Sequence, residues 1–327
     1  MRAARARGSR KRACTSPSGA LCAILVLVSV LGAARLLHAA PTAPSFAVDE
    51  IAPGVFVHIG KLLALDAAGH DDIANIGFVV GSRCVAVIDT GGSPRIGRAL
   101  RETIRRRSQQ PICYVVNTHV HVDHVLGNVA FKEDKPTFVG HAELVDAIAR
   151  SRSFFLQQYA GDFDTPATPD QVIGPDKTVT TTLDLDLGGR HLHLRAWPKA
   201  HTDCDLSVYV DDADVLWAGD LLFRERIPAL DGSARGWLAA IDELAKTKAK
   251  LVVPGHGAVT ADLSAAFAPE RRYLQALVDG VREEIAAGKP IEDAMAHVGS
   301  SEKANWQLWD TAHARNVSRV YQELEWE

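Results

Sequence analysis

The chain has 327 residues, 47% hydrophobic and 23% charged, a globular composition that excludes a disordered or collagen-like polymer. At about 100–200 residues per domain, the length allows two domains or one large layered domain. Its 36 basic and 40 acidic residues give a net charge of −4, unevenly spread. Residues 1–40 hold seven of the bases (Arg2, Arg5, Arg7, Arg10, Lys11, Arg12 and Arg35) and no acid, which leaves 29 bases against 40 acids, or −11, in the rest. So acidic a body argues against a nucleic-acid partner, because phosphate binding needs a basic surface.

In chain order, the first element is Ala20–Ala34, 15 residues that are apolar apart from Ser29. That is short for a bilayer span and matches the apolar core of a secretory signal. Small residues at Ala39-Ala40 precede Pro41, so residues 1–40 are expected to be a cleaved signal peptide, with an uncleaved anchor as the alternative. The mature protein is then periplasmic or secreted, with no membrane contact after cleavage. Cys14 and Cys22 leave with the leader, and Cys84, Cys113 and Cys204 are too few for a disulfide framework. Cys84 and Cys113 fall on predicted buried strands and could pair if those strands are neighbours.

The remainder, 46–327, reads as one domain with a helical C-terminal extension from about residue 261. Gly54–Gly60, Ala74–Gly81 and Cys84–Asp89 are predicted strands. Ser93-Pro94 opens a helix through about Arg107, with Ser93 as N-cap and the bases Arg105-Arg106-Arg107 complementing its C-terminal dipole. Ile112–Asn117 is a further buried strand, so Asp89 and Asn117 stand at strand ends, where open α/β sheets place their ligands. Ser153–Asp170, aromatic and then rich in Pro, Asp and Thr, reads as a long loop. Leu183–Trp197 reads as a hairpin turning at Gly188-Gly189. Leu206–Val210 and Val215–Ala218 follow as strands, Trp237–Ala249 as a helix, and Leu251–Val253 as a strand ending at Pro254-Gly255-His256-Gly257.

The chemistry concentrates at Thr118–His124, where three imidazoles and a carboxylate occupy six positions, His119 to His124. In an extended segment i, i+2 and i+4 share a face, so His119, His121 and Asp123 converge while His124 points to the other side. Two adjacent metals can divide such a set more easily than one metal can accept it. Imidazole and carboxylate suit zinc, and the lack of thiolate argues against a structural site. Further candidates are His201, Asp220 and His256, each expected at a strand end, with glycines beside the last two.

His119-x-His121-x-Asp123-His124 followed by His201, Asp220 and His256 resembles the metallo-β-lactamase superfamily over about Val48 to Gly257. The resemblance implies an α/β fold, a metallo-β-lactamase-like αββα sandwich of two mixed β-sheets flanked by helices. It further implies two zinc ions per chain, one on His119, His121 and His201, the other on Asp123, His124 and His256. By the same resemblance Asp220 would bridge them and Asp89 would orient the ligands. The bridging Asp is similar to that of glyoxalase II-like hydrolases, whereas the commonest true β-lactamases carry Cys or lack the carboxylate. Cys204 stands where the related pattern usually has Asn. Ile73–Gly92, Arg195–Leu206, Ala218–Phe223, Asp231–Leu238 and the tail Asn316–Glu327 resemble a narrower group, the quinoprotein relay system zinc metallohydrolases. That tail is one that no zinc chemistry requires.

The implied function is an exported di-zinc hydrolase that uses a zinc-bridging hydroxide, with Asp123 and Asp220 as catalytic carboxylates, on a small ester, thioester or lactone. A periplasmic quinoprotein dehydrogenase system is the implied partner. A β-lactamase and a non-catalytic metal-binding accessory protein are the alternatives. Other histidines are expected to be structural or solvated. His191 and His193 sit on the polar face of an alternating strand, His58 alternates with valines, His141 begins a helix, and His297 and His313 lack partners. Asn316-Val317-Ser318 matches a glycosylation sequon, a short and weakly specific motif.

Overall fold

The structure, a computed structural model, describes residues 46–326. The expected signal peptide at 1–40 lies outside the described residues. Seven strands form one sheet in sequence order: β1 (Asp49–Ala52), β2 (Val55–His58), β3 (Ile76–Val80), β4 (Val85–Ile88), β5 (Ile112–Val116), β6 (Thr137–His141) and β7 (Lys177–Val179). Pairing is antiparallel from β1 to β4 and parallel from β4 to β7. The second sheet runs β12-β11-β10-β9-β8, from β8 (Thr182–Asp186), β9 (His191–Ala196), β10 (Leu206–Val210), β11 (Val215–Phe223) and β12 (Leu251–His256). Only its β11·β12 pair is parallel. The helices are α1 (Pro94–Arg107), α2 (Val122–Val125), α3 (Leu144–Gln158), α4 (Ala234–Leu244), α5 (Leu263–Ala286), α6 (Ile291–His297) and α7 (His313–Leu324).

Strand alternation builds the layers. In β4, Ala86 and Ile88 face the second sheet, while Val85 and Val87 face Ile96, Leu100 and Ile104 of α1. In β11, Trp217 enters the inter-sheet core and Leu216 and Ala218 face the opposite way, towards Trp237 of α4 and Leu277 of α5. Both sheets are thus covered by helices on their outer faces, as expected for two mixed sheets between helical layers. Parallel strands buried on both sides need continuous apolar runs, which β4, β5 and β12 supply. Cys84 and Cys113, on neighbouring chain segments of β4 and β5, are joined by a disulfide with Cα atoms 5.7 Å apart.

Several expectations need correction. Ser153–Asp170 is not one loop: α3 continues through Phe154 and Phe155, because Leu144, Ala147, Ile148 and Phe155 form a buried helical stripe. His141 ends β6 rather than opening a helix. His297 and His313 do have partners: His297 Nε2 lies 2.8 Å from Glu284 Oε1, and His313 stacks on Trp309 with Nδ1 3.1 Å from the Tyr273 hydroxyl. The sequon residue Asn316 is fully buried with its amide hydrogen-bonded, so it presents no acceptor surface. His58 is structural, bonded to Asp72 Oδ1 at 2.6 Å. Among the described residues no helix is long and apolar enough to cross a membrane.

Candidate metal centre

The parallel pairs β4·β5 and β11·β12 set the site, because their carboxyl ends meet at one edge of the sandwich. Asp89 follows β4 at φ +53°, a left-handed conformation uncommon outside glycine. That turn aims its carboxylate at the end of β5. Oδ1 accepts from the Thr118 amide at 2.8 Å, and Oδ2 accepts from Thr118 Oγ1 at 2.7 Å and His124 Nδ1 at 2.8 Å. His119 and His121 leave β5 in an irregular turn, and His121 is the N-cap of α2. Asp123 therefore does not continue an extended face. Helical turning in α2 brings Asp123 and His124 to one side, against His256, which explains why neighbours in sequence share a group.

His256 is the last residue of β12 and His201 lies in the loop after β9. Asp220, expected at a strand end, sits inside β11, which runs on to Phe223 past a register break at Gly219. Two glycines permit the approach. Gly219 has φ +56° and lies against Thr118, and a Cβ on Gly255 would collide with the Asp220 carboxylate.

Seven donors gather in two groups, His119, His121, His201 and Asp220, and Asp123, His124 and His256. In the first, His121 Nδ1 lies 3.1 Å from His119 Nε2 and 2.9 Å from His201 Nε2, while Asp220 Oδ2 is 3.6 Å and 3.4 Å from those two Nε2 atoms. In the second, Asp123 Oδ2 is 3.7 Å from His124 Nε2 and 3.4 Å from His256 Nε2. Asp220 reaches this group too, with Oδ1 3.1 Å from His124 Nε2 and Oδ2 3.3 Å from His256 Nε2. A tetrahedral ion with bonds of about 2.0–2.1 Å spaces its donors about 3.4 Å apart, so both groups fit. His124 Nε2 and Asp220 Oδ1 are buried without a hydrogen-bond partner, an arrangement that costs free energy unless something else engages them.

Each imidazole is also anchored through its other nitrogen. His119 Nδ1 is 3.0 Å from Thr118 Oγ1, His121 Nε2 2.9 Å from Asp231 Oδ2, His124 Nδ1 2.8 Å from Asp89, His201 Nδ1 2.6 Å from the Ala229 carbonyl and His256 Nδ1 2.8 Å from the Ile73 carbonyl. Such outer contacts orient the ring and fix its tautomer, as metal-ligating histidines require. Two of the rings are held neutral, the form that can ligate. Burial and the neighbouring imidazoles hold His119 well below the usual histidine range, and burial and His121 bring His201 down to about 3. Burial opposes charge on Asp220, but the surrounding imidazoles outweigh it and keep the carboxylate ionised.

Sequence reading missed several supports. Asp231 stands 110 residues from His121, and its only local signal is the following glycine. Asn75 donates to the carbonyls of Pro254 and Gly257, both at 2.8 Å, clamping the His256 loop. A cavity of about 180 Å³ opens over the donors, lined by Leu65, Phe154, Phe155, Tyr159, Arg226 and Arg315 among others. The remaining candidates separate from the site. His193 is half-exposed and paired with Asp184 at 2.7 Å, while its neighbours Leu192 and Leu194 enter the core, as expected. Cys204 is buried among Val122, Leu126 and Phe155, where burial pushes its thiol pKa up, and Asp203 points outward to Arg150.

This fold and site define a class. The superfamily model "Metallo-beta-lactamase superfamily" matches residues 70–256, and the chain belongs to this superfamily of metallo-hydrolases. It is similar to the "Probable metallo-hydrolase YqgX" of Bacillus subtilis (strain 168), 29% identical over 197 residues covering 57% of this chain and 86% of that protein. The "Metallo-beta-lactamase type 2" of Bacillus sp. (strain 170) is 22% identical over 222 residues, 66% of this chain and 77% of that one. Among solved structures, a metallo-beta-lactamase family protein from Thermus thermophilus superposes with a TM-score of 0.60 at 18% identity, over 84% of this chain and 95% of that chain, a likeness of fold.

Proposed function

We propose that the chain is an exported two-zinc hydrolase that cleaves a small ester, thioester or lactone. The carrying observation is the pair of donor groups that share Asp220, with all five imidazoles anchored from outside. Two ions held by these residues would supply Lewis acidity and lower the pKa of a water towards about 7. Asp123 and Asp220, which stand in the two donor groups, would accept hydrogen bonds from the attacking water and orient it. Phe154, Phe155 and Leu65 give the cavity an apolar wall for an acyl group, and its modest volume favours a small substrate. No covalent nucleophile is needed, and the one free thiol among the described residues, Cys204, is buried outside the cavity lining.

Export is supported by the basic, apolar leader and by the Cys84–Cys113 disulfide, a bond that persists in oxidising compartments. Kinship with the quinoprotein relay metallohydrolases, and with it a periplasmic quinoprotein dehydrogenase as partner, rests on the shared segments quoted above. Elemental analysis after dialysis is expected to give two zinc ions per chain, with His256→Ala losing mainly the ion of the second group and His201→Ala that of the first. One ion in the native protein, unchanged in both variants, contradicts the reading. Nitrocefin turnover is expected to be weak, since the site carries a shared Asp. A kcat/KM of about 10⁴ M⁻¹s⁻¹ or more, within the ordinary range for a cognate substrate, favours a β-lactamase instead.

A further inference from the structure

The superfamily match ends at residue 256, yet α7, far beyond it, is bonded to the segment that orients the first donor group. Residues 228–233 link the two. The Ala229 carbonyl accepts from His201 Nδ1 at 2.6 Å, and Asp231 Oδ2 lies 2.9 Å from His121 Nε2. The same segment bonds back to the ligand loop, with the Asp231 and Gly232 amides donating to the His201 carbonyl at 3.0 and 2.7 Å. Its other side is held by α7. Asn316 Oδ1 accepts from the Leu230 amide at 3.0 Å and Nδ2 donates to the Pro228 carbonyl at 2.7 Å, so one buried side chain brackets Ala229. Arg319 donates to the Asp231 carbonyl, and Arg315 lies 3.7 Å from Asp231 Oδ1, the carboxylate oxygen that His121 does not use. Glu323 accepts from Ser233 Oγ at 2.6 Å and the Ala234 amide at 2.7 Å, fixing where α4 begins. Asn316, Arg319 and Glu323 recur at i, i+3 and i+7, one face of a helix.

We infer that α7 is a positioning element of the first metal group: through Asn316, Arg315 and Arg319 it sets the Ala229 carbonyl and the Asp231 carboxylate that orient His201 and His121. The tail thus has a task in the metal chemistry, contrary to its expected independence. This rests on the metal-site reading above, and the experiment separates the two. In the full chain, cobalt(II) replaces zinc, and chelator competition and the visible spectrum are read for wild type, R315A/R319A, R315K/R319K and Asn316→Ala. Both arginines are exposed, so the double alanine variant is expected to fold. Outer-contact losses typically cost about 10–100-fold in metal affinity. R315A/R319A is therefore expected to weaken retention of one of the two ions by about 10-fold and shift the cobalt spectrum, the lysine pair to recover most of both, and Asn316→Ala to lose more. If R315A/R319A binds both ions with wild-type affinity and spectrum, the inference is overturned, even if its melting temperature falls. Wild-type protein that retains no metal overturns the site reading itself, and the inference with it.

Discussion

His119→Ala and His121→Ala are each expected to abolish retention of the first ion and any hydrolase activity, while His191→Ala and His193→Ala leave both intact. The two H-x-H pairs are chemically alike, so the contrast tests position alone. His119 is buried in a ring of donors, with Nε2 3.1 Å from His121 Nδ1, and its removal leaves His201 and Asp220 without a complete set. Altering an outer contact alone costs about 10–100-fold, so losing a donor costs at least that. His193 instead points off β9 towards Asp184 at the surface, and removing it changes stability by about 0.5 kcal/mol or less. Metal analysis of the four variants with urea denaturation decides the matter: zinc lost from His193→Ala but kept by His121→Ala reverses the site assignment.

Trp237→Ala is expected to be the most damaging single change in the scaffold. The indole is fully buried on α4 between β11 and α5, donates Nε1 to the Leu221 carbonyl at 3.1 Å, and contacts the His201 ring edge-on with centroids 5.2 Å apart. Emptying such a site costs about 3–5 kcal/mol, from lost transfer energy and the residual cavity. It also removes the wall behind His201, so metal retention is expected to weaken in parallel. Trp326, 87% exposed, is the control, and its alanine variant is expected to change stability by about 0.5 kcal/mol or less. Similar denaturation midpoints for the two variants contradict the placement of Trp237 as a keystone between α4 and the site.

Much of the molecule is legible in its sequence, for local reasons. The β4–α1–β5 unit follows from Cys84–Asp89, the Ser93 cap with Pro94, and Ile112–Asn117, because strand alternation and capping depend on near neighbours. Crowding of His119, His121, Asp123 and His124 into six positions, and glycines beside Asp220 and His256, mark the donors, since few other chemistries require that density. What stays hidden depends on distant packing. Whether Asp123 and His124 lie on one side or two turns on a single helical turn, α2, that the apolar pattern of four residues cannot encode. The continuation of α3 through Phe154 is masked by aromatics that read equally well as loop or helix. Asn316 and Arg315 carry no local mark of their part in the site, and Asp231 only the glycine after it, because their partners lie about 80 to 110 residues away in the chain, brought near only when the second sheet and α7 pack together. Four of the seven donors are written in one short spacing, but the contacts that orient the set exist only once the layers close.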